Sequence, residues 1–79
     1  IWTRPGLDLR TRSCITVAML VALNRPEELK IHLRGALRNG VTPEELKEIL
    51  LHAAVYCGVP AANDAYRVAV AIMEAQPPT

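Results

Sequence analysis

The stretch that decides the fold is residues 42–58, which reads TPEELKEILLHAAVYCG. Thr42 can cap a helix, Pro43 suits its first position, and Glu45, three residues after the cap, can complete a capping box. The apolar side chains that follow recur at helical spacing: Leu46, Ile49, Leu50, Ala53 and Ala54. Because Gly58 can stop a helix, the pattern predicts one from Thr42 to Tyr56-Cys57.

Helices are predicted on both sides of this one. Pro26 suits the first turn of a helix that runs to about Asn39, where Gly40 supplies a left-handed residue, and Pro60 begins another that runs to about Ala75. The earlier helix has the apolar stripe Leu29, Leu33, Ala36 and Leu37. The later one has Ala62, Ala65, Tyr66, Ala69, Ile72 and Met73. Residues 76–79 are expected to fray.

The first predicted helix is capped by Asp8 and is apolar nearly all round between Cys14 and Leu23. Such a helix must be covered on every side. No strand pattern, repeat or linker competes with the helical periodicity. The expected fold is therefore all-α, a compact bundle of about four helices forming a single domain over residues 1–79.

Composition indicates that this domain does not act alone. A chain of 79 residues buries only about 60% of its unfolded surface, yet 51% of its residues are apolar. That surplus predicts interfaces between subunits. The net charge of +1 argues against nucleic acid as a partner, and the longest apolar run, seven residues from Val17 to Leu23, is too short for a membrane span.

Cysteine usage indicates the compartment. Cys14 and Cys57 are far apart in sequence, too sparse for a disulfide scaffold and not in metal-ligand spacing. We expect two buried free thiols in a reducing cytoplasm. The N-terminus from Ile1 has neither an initiator Met nor a signal-peptide pattern, which suggests that residues upstream are missing.

The candidate chemistry centres on two histidines. His32 lies beside Leu29, Leu33 and Ala36, at the edge of the inward stripe. A histidine there is either a structural residue satisfied by one hydrogen bond or a general acid or base, because imidazole changes charge near neutral pH.

His52 forms an i, i+4, i+8 row with Glu48 before it and Tyr56 after it. The carboxylate can orient the ring, although such a row is more often a partly exposed, salt-linked one. The two histidines and Glu48 lack the spacing of metal ligands, so no metal site is predicted. Among the arginines, whose planar forks suit carboxylates, Arg34 lies about 200° round its helix from His32.

Several phrases, taken in order, resemble the carboxymuconolactone decarboxylase family over nearly the whole chain: residues 2–7 (WTRPGL), 10–13 (RTRS), 32–40 (HLRGALRNG), 42–45 (TPEE) and 56–62 (YCGVPAA). The resemblance implies an all-α fold of the carboxymuconolactone decarboxylase and alkylhydroperoxidase-like type. It implies ring-like homo-oligomers, often hexamers built as trimers of dimers. Family decarboxylases usually carry further N-terminal helices, which are absent before Ile1.

The implied activity is cofactor-independent decarboxylation of 4-carboxymuconolactone, a small anionic lactone, to β-ketoadipate enol-lactone during degradation of aromatic compounds. The chain is thus expected to be a carboxy-lyase. His32 is the expected proton donor, with His52, oriented by Glu48, as a secondary catalytic residue. The expected substrate-binding residues are Arg12, Arg34 and Tyr56, with Arg12 as anion anchor.

Three other functions are weighed against this one. An alkylhydroperoxidase-like thiol protein would need a Cys-x-x-Cys pair before the histidine, but Arg25 and Glu28 occupy those positions relative to His32. A noncatalytic helical oligomerisation module would have a closed interior at His32. A helix-turn-helix DNA binder would need a basic recognition helix, whereas the third helix begins with the acidic segment 43–46.

Overall fold

The structure is a computed structural model that describes residues 1–75; the predicted fraying of 76–79 lies outside the described residues. It contains four helices: α1 (Leu9–Ala22), α2 (Pro26–Arg38), α3 (Pro43–Cys57) and α4 (Val59–Ala75). No strand is present among residues 1–75. The all-α fold with about four helices is confirmed, and α4 begins one residue before the predicted Pro60.

The predicted helix starts form as expected. The Asp8 carboxylate accepts a hydrogen bond from the Thr11 amide at 2.7 Å, and this bond lowers the pKa of Asp8 below its ordinary value. At α3 the Thr42 hydroxyl accepts from the Glu45 amide, while the Glu45 carboxylate accepts from the Thr42 amide. The same carboxylate forms an ion pair with Arg10, which links the start of α3 to α1.

Residues with positive φ terminate three of the helices. Gly40 (φ 93°) follows α2 and Gly58 (φ 99°) follows α3, a conformation that glycine adopts without steric cost. After α1 the corresponding residue is Asn24 (φ 55°), whose short polar side chain tolerates the left-handed region. The sequence predicted both glycine ends, at 40 and 58, but not the positive φ of Asn24.

The helices pack as a four-helix bundle. α1 packs on α2 and α3, and α4 packs on the same two helices from the opposite corner. The largest of the almost completely buried side chains come from α1, α2, α3 and the α2–α3 loop: Val17, Val21, Leu33, Val41 and Leu46. One buried polar contact crosses this packing, because the Asn39 amide donates to the buried Ser13 hydroxyl at 3.0 Å. It fixes the end of α2 against α1.

Two sequence-based expectations about burial are wrong. Cys57 is exposed and Cys14 is only half-buried, since Cys57 is the last residue of α3 and projects beyond the packed part of the bundle. Tyr66 was assigned to the apolar stripe of α4 but is 48% exposed. The buried face of α4 is formed by Ala62, Ala65, Ala69 and Ile72, and Tyr66 lies at its margin.

Candidate active site

The N-terminal segment 1–8 forms one wall of an open groove along α1. The groove has a volume of about 230 Å³ and is lined by Ile1, Trp2, Leu7, Arg12, Ile15 and Thr16. Its lining is mostly apolar, with one guanidinium and one hydroxyl. An apolar cleft with a few convergent polar groups suits a small organic anion.

Arg12 also holds the wall of this groove in place. Its Nε donates to the Leu7 carbonyl oxygen and its Nη2 donates to the Arg4 carbonyl oxygen, each at 3.2 Å. A guanidinium has five N–H donors, so donors remain for an anion in the groove. Arg12 is half-buried, which limits competition from water for those donors.

His32 lies next to the groove wall rather than in the groove lining. Its ring stacks on that of Trp2, with ring centroids 6.3 Å apart and planes inclined by 12°. The ring is half-buried, as the edge position predicted. Among the side-chain hydrogen bonds of residues 1–75, none involves the His32 ring. Trp2 therefore contacts His32 and shares the groove with Arg12.

The second histidine lies in a separate groove between α1 and α3. This groove has a volume of about 360 Å³ and is lined by Cys14, Ala18, Glu48, Ile49 and His52. The His52 and Tyr56 rings lie 4.9 Å apart at a 37° tilt. Glu48 and His52 share the groove, but within residues 1–75 no hydrogen bond or ion pair joins them.

The structure thus divides the predicted site residues into two groups. His32 and Arg12 lie around Trp2, and Glu48, His52 and Tyr56 lie on α3. Arg34 is exposed on α2 and lines neither groove. Sequence analysis missed Trp2 as a site residue, although it is the single tryptophan of the chain and lies in one of the phrases that carry the resemblance.

Two observations concern other kinds of site. Within residues 1–75, no three His, Cys, Asp or Glu side chains gather in an arrangement that would hold a metal ion. In the same part of the chain, no helix combines the length and apolar character needed to cross a membrane.

The helices and grooves define a small all-α bundle with two surface clefts, one lined by His52 and the other bordered by a wall against which His32 lies. The chain belongs to the carboxymuconolactone decarboxylase family, whose model matches residues 1–71.

Two curated relatives share about half of their aligned residues with this chain. A 4-carboxymuconolactone decarboxylase from Acinetobacter baylyi is 52% identical over 69 residues, which cover 87% of this chain and 52% of the relative. A nitrosuccinic acid decarboxylase from Metarhizium robertsii is 48% identical over 65 residues, covering 82% of this chain and 46% of the relative. The chain therefore spans about half the length of these relatives.

Proposed function

We propose that this chain carries the catalytic residues of a cofactor-independent carboxy-lyase that converts 4-carboxymuconolactone to β-ketoadipate enol-lactone in aromatic-compound degradation. The observation that supports the proposal is that two polar side chains, His32 and Arg12, lie beside Trp2 in the N-terminal wall of the groove. A histidine with free ring nitrogens stacks on that wall, and a guanidinium lines the groove beside it. The 52% identity to a decarboxylase of that name supports this choice of substrate.

The reaction needs a proton donor and anion-binding groups. In 4-carboxymuconolactone the departing carboxylate is attached to the ring carbon next to the ring alkene. When the bond to that carboxylate breaks, its electron pair flows through the alkene into the lactone carbonyl and gives a furan-like oxyanion. A proton added to the carbon next to that carbonyl yields the enol-lactone and leaves carbon dioxide as the other product. Electrons balance without an oxidant or reductant.

In this proposal Arg12 binds the acetate arm of the lactone, because a guanidinium pairs with a carboxylate through charge-assisted hydrogen bonds. Leu7 and Ile15 give the groove an apolar lining, which favours loss of charge from the departing carboxylate once the bound lactone displaces water. His32 donates the proton to carbon. His52, oriented by Glu48, has a secondary catalytic role, and Arg34 and Tyr56 bind substrate. Since these residues lie away from the Trp2 groove, their roles require a neighbouring subunit to bring them to it.

The proposed assembly is a homo-oligomer, a hexamer built as a trimer of dimers, located in the cytoplasm. Its support is the apolar surface that one chain leaves uncovered, including Met19 at 58% and Leu23 at 65% exposure. The cytoplasmic location is supported by Cys14 and Cys57, both of which are free thiols.

The test mixes the purified protein with 4-carboxymuconolactone and follows carbon dioxide release together with the ultraviolet change of the lactone. Equal amounts of both products are expected, without added metal or organic cofactor. Nitrosuccinic acid is assayed in parallel, because a relative at 48% identity is named for it. Turnover of nitrosuccinic acid alone would assign the other substrate, and turnover of neither would refute the proposal.

Two of the three alternative functions can be compared with the structure. The exposed Cys57 meets one requirement of a thiol peroxidase, accessibility, but α2 has no cysteine near His32 to form a redox pair with it. A noncatalytic oligomerisation module would have a closed surface near His32. The open groove beside Trp2 favours the enzyme instead.

A further inference from the structure

We propose that Trp2 is a positioning residue for His32, a role that rests on the proposed function of His32 as proton donor. The two rings are nearly parallel with centroids 6.3 Å apart, an offset arrangement in which the indole lies beside the half-buried imidazole, and Trp2 also lines the groove. No hydrogen bond within residues 1–75 fixes the imidazole. The nearly parallel indole is the aromatic contact that we expect to restrain its rotation.

Arg12 holds the indole beside His32 through hydrogen bonds to the segment that contains Trp2. The segment before α1 turns back on itself through the hydrogen bond from the Arg4 amide to the Ile1 carbonyl oxygen at 3.1 Å. The two donors of Arg12 then attach the carbonyl oxygens of Arg4 and Leu7 to α1. Trp2 lies within this anchored turn. The same guanidinium proposed to bind the substrate thus places the ring that orients the donor.

The stacking geometry suits proton donation. An imidazole transfers its proton along an N–H bond, in the plane of the ring. A neighbour stacked on the ring face restricts tilting without occupying the direction of transfer. Because a misplacement of about 1 Å can cost about 100-fold in rate, loss of this restraint is expected to lower kcat more than substrate binding.

The first measurement is nuclear magnetic resonance of the histidine ring C–H signals. The chain has two histidines, so His52, whose ring packs at a tilt against Tyr56 rather than near Trp2, is an internal control. The indole ring current shifts the His32 signals in the wild-type protein. In Trp2→Ala those signals are expected to move toward the values of an unstacked histidine while the His52 signals stay in place. Trp2→Phe keeps an aromatic face and is expected to retain part of the shift.

The second measurement is turnover of 4-carboxymuconolactone by the same proteins. Trp2→Ala is expected to lower kcat about 10- to 100-fold with KM changed less than about threefold, and Trp2→Phe is expected to restore most of kcat. Circular dichroism and light scattering on each variant check that helicity and assembly are retained. A fall in kcat that accompanies loss of assembly would count against a positioning role.

The outcomes separate this proposal from the function on which it rests. A wild-type protein without turnover refutes the proposed function, and the His32 signals still decide whether Trp2 restrains that ring. Turnover in the wild type with unchanged His32 signals, or unchanged kcat, in Trp2→Ala overturns the positioning role alone. If Trp2→Phe is as impaired as Trp2→Ala, an aromatic face is not what His32 requires, and the proposal also fails.

Discussion

At the scale of single residues, the most specific prediction about catalysis concerns His32. General acid catalysis contributes about 10²- to 10⁴-fold, so His32→Ala is expected to lower kcat by that order with helicity and assembly intact. His32→Gln keeps a hydrogen-bond donor that does not readily release a proton, so it should be nearly as impaired. Steady-state kinetics of both variants on 4-carboxymuconolactone provide the measurement.

The matched control is His52→Ala, which removes the imidazole of the other groove. A modest effect is expected there, because His52 has a secondary role in the proposal. If both His32 variants kept near wild-type kcat, or if His52→Ala alone abolished turnover, the proton donor would be His52 and His32 would be structural.

The cysteines give a second prediction at this scale. The double variant Cys14→Ser with Cys57→Ser is expected to keep its turnover, and so is wild-type protein treated with a chelator, because the proposed mechanism uses neither a thiol nor a metal. The double variant matters here because Cys14 lines the His52 groove and Cys57 is exposed. A large loss of kcat in either test, with the fold retained, would indicate redox or metal chemistry.

Sequence reasoning predicted part of this site and missed part for a physical reason. Helical periodicity is local, so it predicted His32 at the edge of the inward face of α2 and the row from Glu48 to Tyr56 on α3. The Trp2 stack joins residues 30 positions apart through an irregular segment. Its path depends on carbonyl groups that bind Arg12, and no periodic pattern in the sequence records such contacts.

At the scale of an element, the cap of α1 predicts how stability depends on pH. The Thr11 amide and hydroxyl lower the pKa of the Asp8 carboxyl in the folded protein, below the value of about 3.9 expected when unfolded. A lowered folded pKa means that the contribution to stability is present above about pH 4. It is lost as the pH falls through the folded pKa.

Asp8→Asn keeps a side-chain acceptor but cannot ionise, so it isolates the effect of charge. The wild-type protein should have a higher Tm than Asp8→Asn near pH 6, and the difference should shrink toward zero near pH 2. Thermal unfolding followed by circular dichroism across this range measures it. A Tm difference that did not vary with pH would show that the charge of Asp8 contributes nothing to the cap.

The ends of the helices were predicted closely from local sequence signals. The capping box at Thr42 and the glycines at 40 and 58 depend on residues within four positions of one another, so sequence alone predicted those ends. The exposure of Tyr66 depends instead on tertiary packing, in which Ala62, Ala65 and Ala69 take the buried positions of α4. Spacing predicts which residues share a helix face, but the depth of the packing determines which of them are covered.

At the scale of the whole molecule, one chain leaves large apolar side chains in contact with water. Ile15 and Met19 on α1, and Val59 and Tyr66 on α4, are exposed although most of each helix is apolar. We expect a stable multimer at micromolar concentration, with these faces of α1 and α4 in its interfaces, and light scattering to report a multiple of the 8.7 kDa chain mass.

A charge in such an interface must be removed from water, so Met19→Lys is expected to shift the mass toward the single chain. Ile31→Lys is the control, since Ile31 is equally exposed but lies on α2. A wild-type monomer at micromolar concentration would refute the assembly. Dissociation by Ile31→Lys but not by Met19→Lys would place the interface on α2 instead.

The anchored turn before α1 also bears on how this protein is handled at the bench. Ile1 and Trp2 both line the groove that contains Arg12, so any peptide fused to the amino end emerges at the groove's rim. An affinity tag there would compete for the guanidinium or displace the indole, and a weak assay would then reflect the tag rather than the enzyme. Kinetics should therefore be compared with and without any tag that is fused before Ile1.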